Sequence, residues 1–160
     1  MRVFLDADVL FDSVLDLRTG TLLRRMKNAG HDIIVPVSVL GEVMLVCIFE
    51  DRQADLLAVK NTCSELKTTF ASSSERFKVC NLCLENFDKR AFNLTDKDHL
   101  AHALAYSSFF KDGKDNYFLT TDRYLLDFRL PCRYLKDSCG LFGSKTPLKI
   151  VNLEEMRRLL

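Results

Sequence analysis

Arg2-Val3-Phe4-Leu5-Asp6-Ala7-Asp8-Val9-Leu10 opens the chain with a short apolar run that stops on an acid. A strand covered on both faces reads as continuous hydrophobicity, and an acid at its end marks a functional loop behind it. Asp32 to Val37, Tyr117 to Thr120 and Leu148 to Val151 repeat the pattern. Helical spacing fills the intervals. Val9, Leu10, Val14 and Leu15 predict a short helix, and Leu22, Leu23 and Met26 a second that stops near Asn28-Ala29-Gly30. Val39, Leu40, Val43, Met44 and Cys47 predict a helix capped by Ser38, and Leu56, Leu57, Val59, Cys63 and Leu66 one running from Arg52 to about Phe70. Phe77 to Phe92 reads as extended at its start and helical at its end. Thr95 and Asp98 form a capping box for a helix carrying Leu100, Ala101, Leu104 and Ala105, and Glu154 to Leu160 closes the chain as a short helix. Strands alternating with helices predict an α/β fold, a three-layer Rossmann-like parallel sheet flanked by helices.

At 160 residues and 48% hydrophobic content, the chain is sized for one domain spanning 1–160 with a full core. Ser72 to Ser74 is too short a polar break to divide it. Arg129 to Thr146 has no period and reads as an irregular surface excursion. Asp6 and Asp8 interrupt the first apolar run at once, so it does not read as a signal peptide, and no segment reaches the roughly 18 apolar residues of a membrane span. A cytoplasmic location is expected. The six cysteines then read as reduced thiols. Cys80 and Cys83 form a C-x-x-C that Cys132 and Cys139 would have to complete as a zinc quartet, but the second spacing does not suit a ribbon or knuckle.

Four acids stand out by placement. Asp6 and Asp122 each follow a strand, and beyond the carboxyl ends of the strands is where ligands gather in an open parallel sheet. Glu42 lies one turn beyond Ser38 and on the same side of its helix, and Asp96 lies in the first turn of another. Taken singly, each has a plain alternative as a turn, cap or first-turn acid. Gathered together they would repel one another, and a hard divalent cation, Mg²⁺ or Mn²⁺, is what neutralises such a cluster. The overall charge supports a polyanionic substrate only indirectly. Lys and Arg total 23 against 22 acids, and committing four acids to a metal leaves 23 minus 18, a surplus of five positive charges. His99 and His102 are expected to pack their helix, since imidazole is not a magnesium ligand.

Val3-Phe4-Leu5-Asp6-Ala7-Asp8-Val9-Leu10, Pro36-Val37-Ser38 with Glu42, Asp96-Lys97-Asp98-His99-Leu100-Ala101-His102-Ala103 and Phe118-Leu119-Thr120-Thr121-Asp122 together resemble the four signature blocks of PIN domains. Their order and spacing are similar to the VapC-like prokaryotic branch, and the resemblance covers residues 2 to 128 with the last strand and helix. It implies a metal-dependent endoribonuclease with Asp6, Glu42, Asp96 and Asp122 as acidic quartet and Asp6, Asp96 and Asp122 as metal ligands. Asp8, Ser38 and Thr120 are expected to support the site. Asp8 replaces the commoner asparagine, which leaves open whether it hydrogen-bonds or joins the metal shell. The excursion from Arg129 to Thr146 is longer than in the compact form of the family. The resemblance also implies an RNA substrate, an antitoxin protein and a homodimer. Two other readings compete. Asp6-Ala7-Asp8-Val9 also resembles the nucleophile motif of haloacid-dehalogenase-like phosphatases, with Asp6 as nucleophile, although that leaves Glu42 and the Asp96 block unexplained. The second is a non-catalytic PIN-like module that binds RNA or a protein.

Overall fold

The computed structural model of the chain describes residues 1–71, 75–87, 94–110, 112–127 and 148–160. Its centre is a parallel sheet of β1 (Arg2–Leu5), β2 (Asp32–Pro36), β3 (Thr69–Ala71), β4 (Asn116–Leu119) and β5 (Lys149–Val151), in the order β3-β2-β1-β4-β5. The opening stretch is the middle strand. Arg2 to Phe4 pair with Asp32 to Ile34 on one side, and Arg2 to Leu5 with Asn116 to Leu119 on the other.

The continuous apolar strands are buried on both faces, as parallel pairing requires. Val3, Leu5, Ile33, Val35, Tyr117 and Leu119 face one core. That core is closed by α1 (Ala7–Leu15), α2 (Leu17–Asn28), α3 (Val37–Phe49), α4 (Gln53–Glu65) and α8 (Leu153–Leu159), through Leu10, Leu23, Val43, Val59 and Met156 among others. Phe4, Ile34 and Phe118 point the other way, onto α5 (Glu75–Phe87), α6 (Leu94–Ser107) and α7 (Arg123–Asp127). Ala101, Ala103 and Ala105 let α6 lie close to the sheet. The fold is therefore the expected α/β sheet with helices on both faces. No helix among the described residues is long and apolar enough to cross a membrane.

Four local readings change. The helix expected from Arg52 to about Phe70 ends at Glu65, because Lys67 takes a positive φ of 47° and turns the chain into β3, where Thr69 to Ala71 pair with Ile34 to Pro36. Residues 75–87 are helical from the start, with no extended portion. Ser38 does not cap α3: Pro36 holds the N-cap position without a side-chain bond and the helix begins at Val37. The helix expected to start from Thr95 already begins at Leu94 as α6, and Asp98 accepts a 2.8 Å hydrogen bond from Asn81 Nδ2. Cys80 and Cys83 are buried, whereas Cys132, Cys139, the 72–74 break and the 129–146 excursion lie outside the described residues.

Candidate active site at the carboxyl edge of the sheet

Asp6 begins where β1 ends. Its backbone N–H still donates to Leu119 O on β4, which fixes the residue at the edge of the sheet, and Oδ1 caps α1 by accepting from Ala7 N at 2.9 Å. One strand away, Thr120 Oγ1 donates to Asp6 Oδ2 at 2.6 Å and accepts from Asp122 N at 3.0 Å. A single hydroxyl thus ties the acid after β1 to the acid after β4. Asp122 in turn caps α7, its Oδ1 accepting from Tyr124 N at 2.6 Å. The plain alternative and the functional one hold together here, since both aspartates cap helices and both border the same edge.

Glu42 comes in from α3 and Asp96 from α6. The Asp96 carboxyl is pushed up to about 6, first by desolvation and then by the charges of Asp6 and Asp122 and, more weakly, Glu42, with His99 opposing. Glu42 is raised by desolvation, then by Asp6 and Asp8 against the lowering effect of His99. Asp8 is exposed, and is raised by desolvation and by Asp6, Asp12 and Asp122. Asp96 feels the charges of Asp6, Asp122 and Glu42, so the four acids separated in sequence share one electrostatic neighbourhood. Ser38 stands beside Glu42 on α3, and both line a cavity of about 490 Å³ with Gly41, Leu45, Val46, Phe49 and Glu50.

His99 belongs to this site, and sequence reasoning placed it elsewhere. The ring is fully buried, with Nδ1 3.1 Å from Asp6 Oδ1 and Nε2 3.1 Å from Glu42 Oε2. The expectation of a packing histidine fits His102 instead, whose ring stacks on Phe77 at a centroid distance of 4.1 Å. The missed signal was position: His99 lies three residues after Asp96, on the same helix face. Reading His99 as packing rests on imidazole being no magnesium ligand, and the apolar Leu100 and Ala101 that follow it support that reading.

The donor set suits a divalent cation. A carboxylate offers about four acceptor directions, and Asp6 uses three of them on Ala7, His99 and Thr120, so one remains on Oδ2. Ser38 Oγ, Glu42 Oε2 and His99 Nε2 are buried with no hydrogen-bond partner, a condition an ion or polar ligand relieves. As the side chains stand, no three His, Cys, Asp or Glu residues among those described are drawn close enough to enclose an ion. A larger cavity of about 640 Å³ lies between α3, α4 and β3, lined mostly by apolar side chains such as Leu40, Met44, Leu56, Leu57 and Phe70 and by none of the four acids.

No protein-family model matches the chain, and no curated protein matches it either. Among solved structures it is similar to a chain in the crystal structure of VapBC2 from Rickettsia felis bound to a DNA fragment from their promoter, with a TM-score of 0.69 over 95% of this chain and 98% of that one. The chain has a VapC-like PIN fold. At 12% identity the likeness is one of architecture. The PIN fold accounts for why Asp6, Thr120 and Asp122 meet: they follow the two neighbouring strands β1 and β4 at the sheet's carboxyl edge.

Proposed function

We propose that the chain is a metal-dependent endoribonuclease that hydrolyses RNA phosphodiester bonds with Asp6, Glu42, Asp96 and Asp122. The observation that carries this reading is the Thr120 hydroxyl, which bonds both Asp6 Oδ2 and the Asp122 N–H at the sheet edge, beside an Asp96 carboxyl raised by desolvation and then by the charges of Asp6, Asp122 and Glu42. Asp6, Asp96 and Asp122 would hold Mg²⁺ or Mn²⁺. Bound there, the ion acidifies water and neutralises charge building on the phosphate. Glu42, its pKa raised by desolvation, takes a proton from the attacking water as the oxygen–phosphorus bond forms and the bond to the leaving oxygen breaks. Thr120 holds Asp6 in orientation, and Asp8 lies exposed nearby as an additional negative charge.

The solved neighbour belongs to a VapBC2 assembly, and on that analogy we propose a small antitoxin as partner and self-association of the chain. A phosphatase using Asp6 as nucleophile fits less well. Asp6 is 4% exposed and both its oxygens already accept hydrogen bonds, which blunts attack on phosphorus. The test is cleavage of a labelled RNA with Mn²⁺ or Mg²⁺. Asp96→Asn and Asp122→Asn are each expected to lower the rate by about 100-fold or more while circular dichroism stays unchanged. Full activity in either variant defeats the assignment. RNA binding without cleavage would favour the non-catalytic module, and turnover of a phosphomonoester the phosphatase.

A further inference from the structure

Arg18, Arg25 and Arg157 come from helices at opposite ends of the chain and line one cavity of about 470 Å³, with Leu17, Thr21 and Leu22 completing its described lining. No acid is among those residues. Arg18, Thr21, Leu22 and Arg25 recur at helical spacing on α2, and Arg157 reaches the same cavity from α8. The acids nearest in sequence are engaged elsewhere. Asp16 caps α2 by accepting from the backbone N–H of Arg18 and from Thr19, Glu154 pairs with Arg158, and Glu155 closes the capping box on Asn152. Among the described residues, Arg2, Arg24 and Arg52 are likewise each held by a carboxylate, and Arg76 by Ser108. Arg18, Arg25 and Arg157 are exposed and make no side-chain hydrogen bond or ion pair among the described residues, although Arg18 feels the charge of Asp16. A polyanion laid across the cavity therefore meets positive charge that is largely unopposed. The planar fork of arginine suits phosphate, to which it gives paired N–H bonds, and the Thr21 hydroxyl adds a neutral donor.

Position points to the occupant. From its cap at Asp6, α1 carries the chain about 14 Å to Leu15, and α2 follows at once. Helix α8 begins directly after β5, which runs parallel to β4 and so ends at the same edge as Asp6, and Arg157 lies in its second turn. The cavity is thus on the flank reached from the acidic edge along α1 and α8. At a net charge of +1 the chain offers a polyanion no general attraction, and the acids at that edge repel one, so a phosphate chain needs a positive hold beyond them. We infer that Arg18, Arg25 and Arg157 grip backbone phosphates of an RNA strand outside the acidic edge. The inference rests on the nuclease reading for which polyanion is held, and goes beyond it in assigning residues outside the acidic quartet and its supports. Contacts of this kind fix where a strand lies and carry no sequence information.

Binding of a fluorescently labelled, unstructured RNA to the full chain in chelator reads this hold without metal and without cleavage. The slope of log affinity against log salt should shrink by about 0.7 for each of the three arginines replaced by glutamine. The double variant Arg25→Gln, Arg157→Gln should bind about 10-fold or more weakly at low salt. Arg24→Gln and Arg158→Gln remove the same charge from paired arginines on the same two helices, and each should stay within about 2-fold of wild type. Arg25→Lys with Arg157→Lys keeps the charge and should restore the slope. All of these positions are exposed, so circular dichroism should show the fold kept. Equal losses in the paired-arginine variants overturn the inference, because overall charge would then account for binding. An unchanged salt slope overturns it, as does a wild type that binds no RNA. If the double variant loses a polyglutamate peptide but keeps RNA, the cavity serves an acidic protein partner and the inference falls. The nuclease reading is judged separately, by metal-dependent cleavage in Asp96→Asn and Asp122→Asn.

Discussion

Asp96 couples the chemistry of the site to the stability of the fold. Its carboxyl titrates at about 6 in the folded chain against an ordinary 3.8. The folded state therefore keeps a proton that the unfolded chain has already lost, so stability falls as pH rises from about 4 to about 6 and stays lowered above that. Asp96→Asn removes the cost. The two-unit shift corresponds to about 3 kcal/mol, and partial solvent exposure reduces the expected gain at pH 7 to about 1–2 kcal/mol, with none at pH 3.5. Thermal melts at the two pH values check this, and a variant less stable than wild type at pH 7 would contradict it. Thr120→Val acts in the opposite direction. Removing the buried hydroxyl leaves Asp6 Oδ2 and the Asp122 N–H without their partner, an expected loss of about 1–3 kcal/mol in urea unfolding. The placement of the acids was legible in the sequence because Asp6 and Asp122 follow strands, Asp96 lies in the first turn of a helix and Glu42 lies further along another. His99 was not, since burial beside Leu100 and Ala101 looks the same whether a ring packs or bonds.

Strands β1, β2 and β4 followed from their short unbroken apolar runs, and helices α1 to α3 from apolar residues repeating at helical spacing. Strand β3 did not. Thr69, Phe70 and Ala71 make a three-residue edge strand whose existence depends on pairing with β2, a tertiary effect that overrides local preference. The start of α3 was misread for a related reason. Proline pre-sets the backbone at position 36, so the helix starts at once and Ser38 falls one residue inside it. Between α1 and α2, Gly20 allows a close approach that no pattern signals. A Cβ there would lie 2.7 Å from the backbone oxygen of Ser13. Gly20→Ala should therefore cost about 1–3 kcal/mol in denaturant unfolding despite alanine's better helix propensity. A neutral or stabilising result would mean that the two helices separate without penalty.

At the scale of the molecule, the edge opposite the acids is held by charge. Arg2 is 4% exposed, pairs with Asp112 and lies over the Phe110 ring, with Asp32 beyond it. Asp112 is held down at about 2, chiefly by its hydrogen bond to Arg2. A depressed carboxyl stabilises the fold above its ordinary pKa and withdraws that support as pH falls from about 4 to about 2. Asp112→Asn should flatten the acid limb of the stability curve within that window, as followed by circular dichroism. At the other edge, a divalent ion that binds only the folded chain should raise the melting temperature, by an amount corresponding to about 2.7 kcal/mol at a hundredfold excess over its dissociation constant. Chelation should reverse the shift, and Asp122→Asn should abolish it.

The pairing of β1 with β4 joins residue 5 to residue 119, and the Thr120 hydroxyl reaches back across the same junction to Asp6. During synthesis the first acids leave the ribosome long before Asp96, Thr120 and Asp122 exist. A chain that stops short of β4 carries Asp6 and Glu42 without Thr120 and Asp122, so the cluster of acids at this edge assembles only once both distant segments have paired.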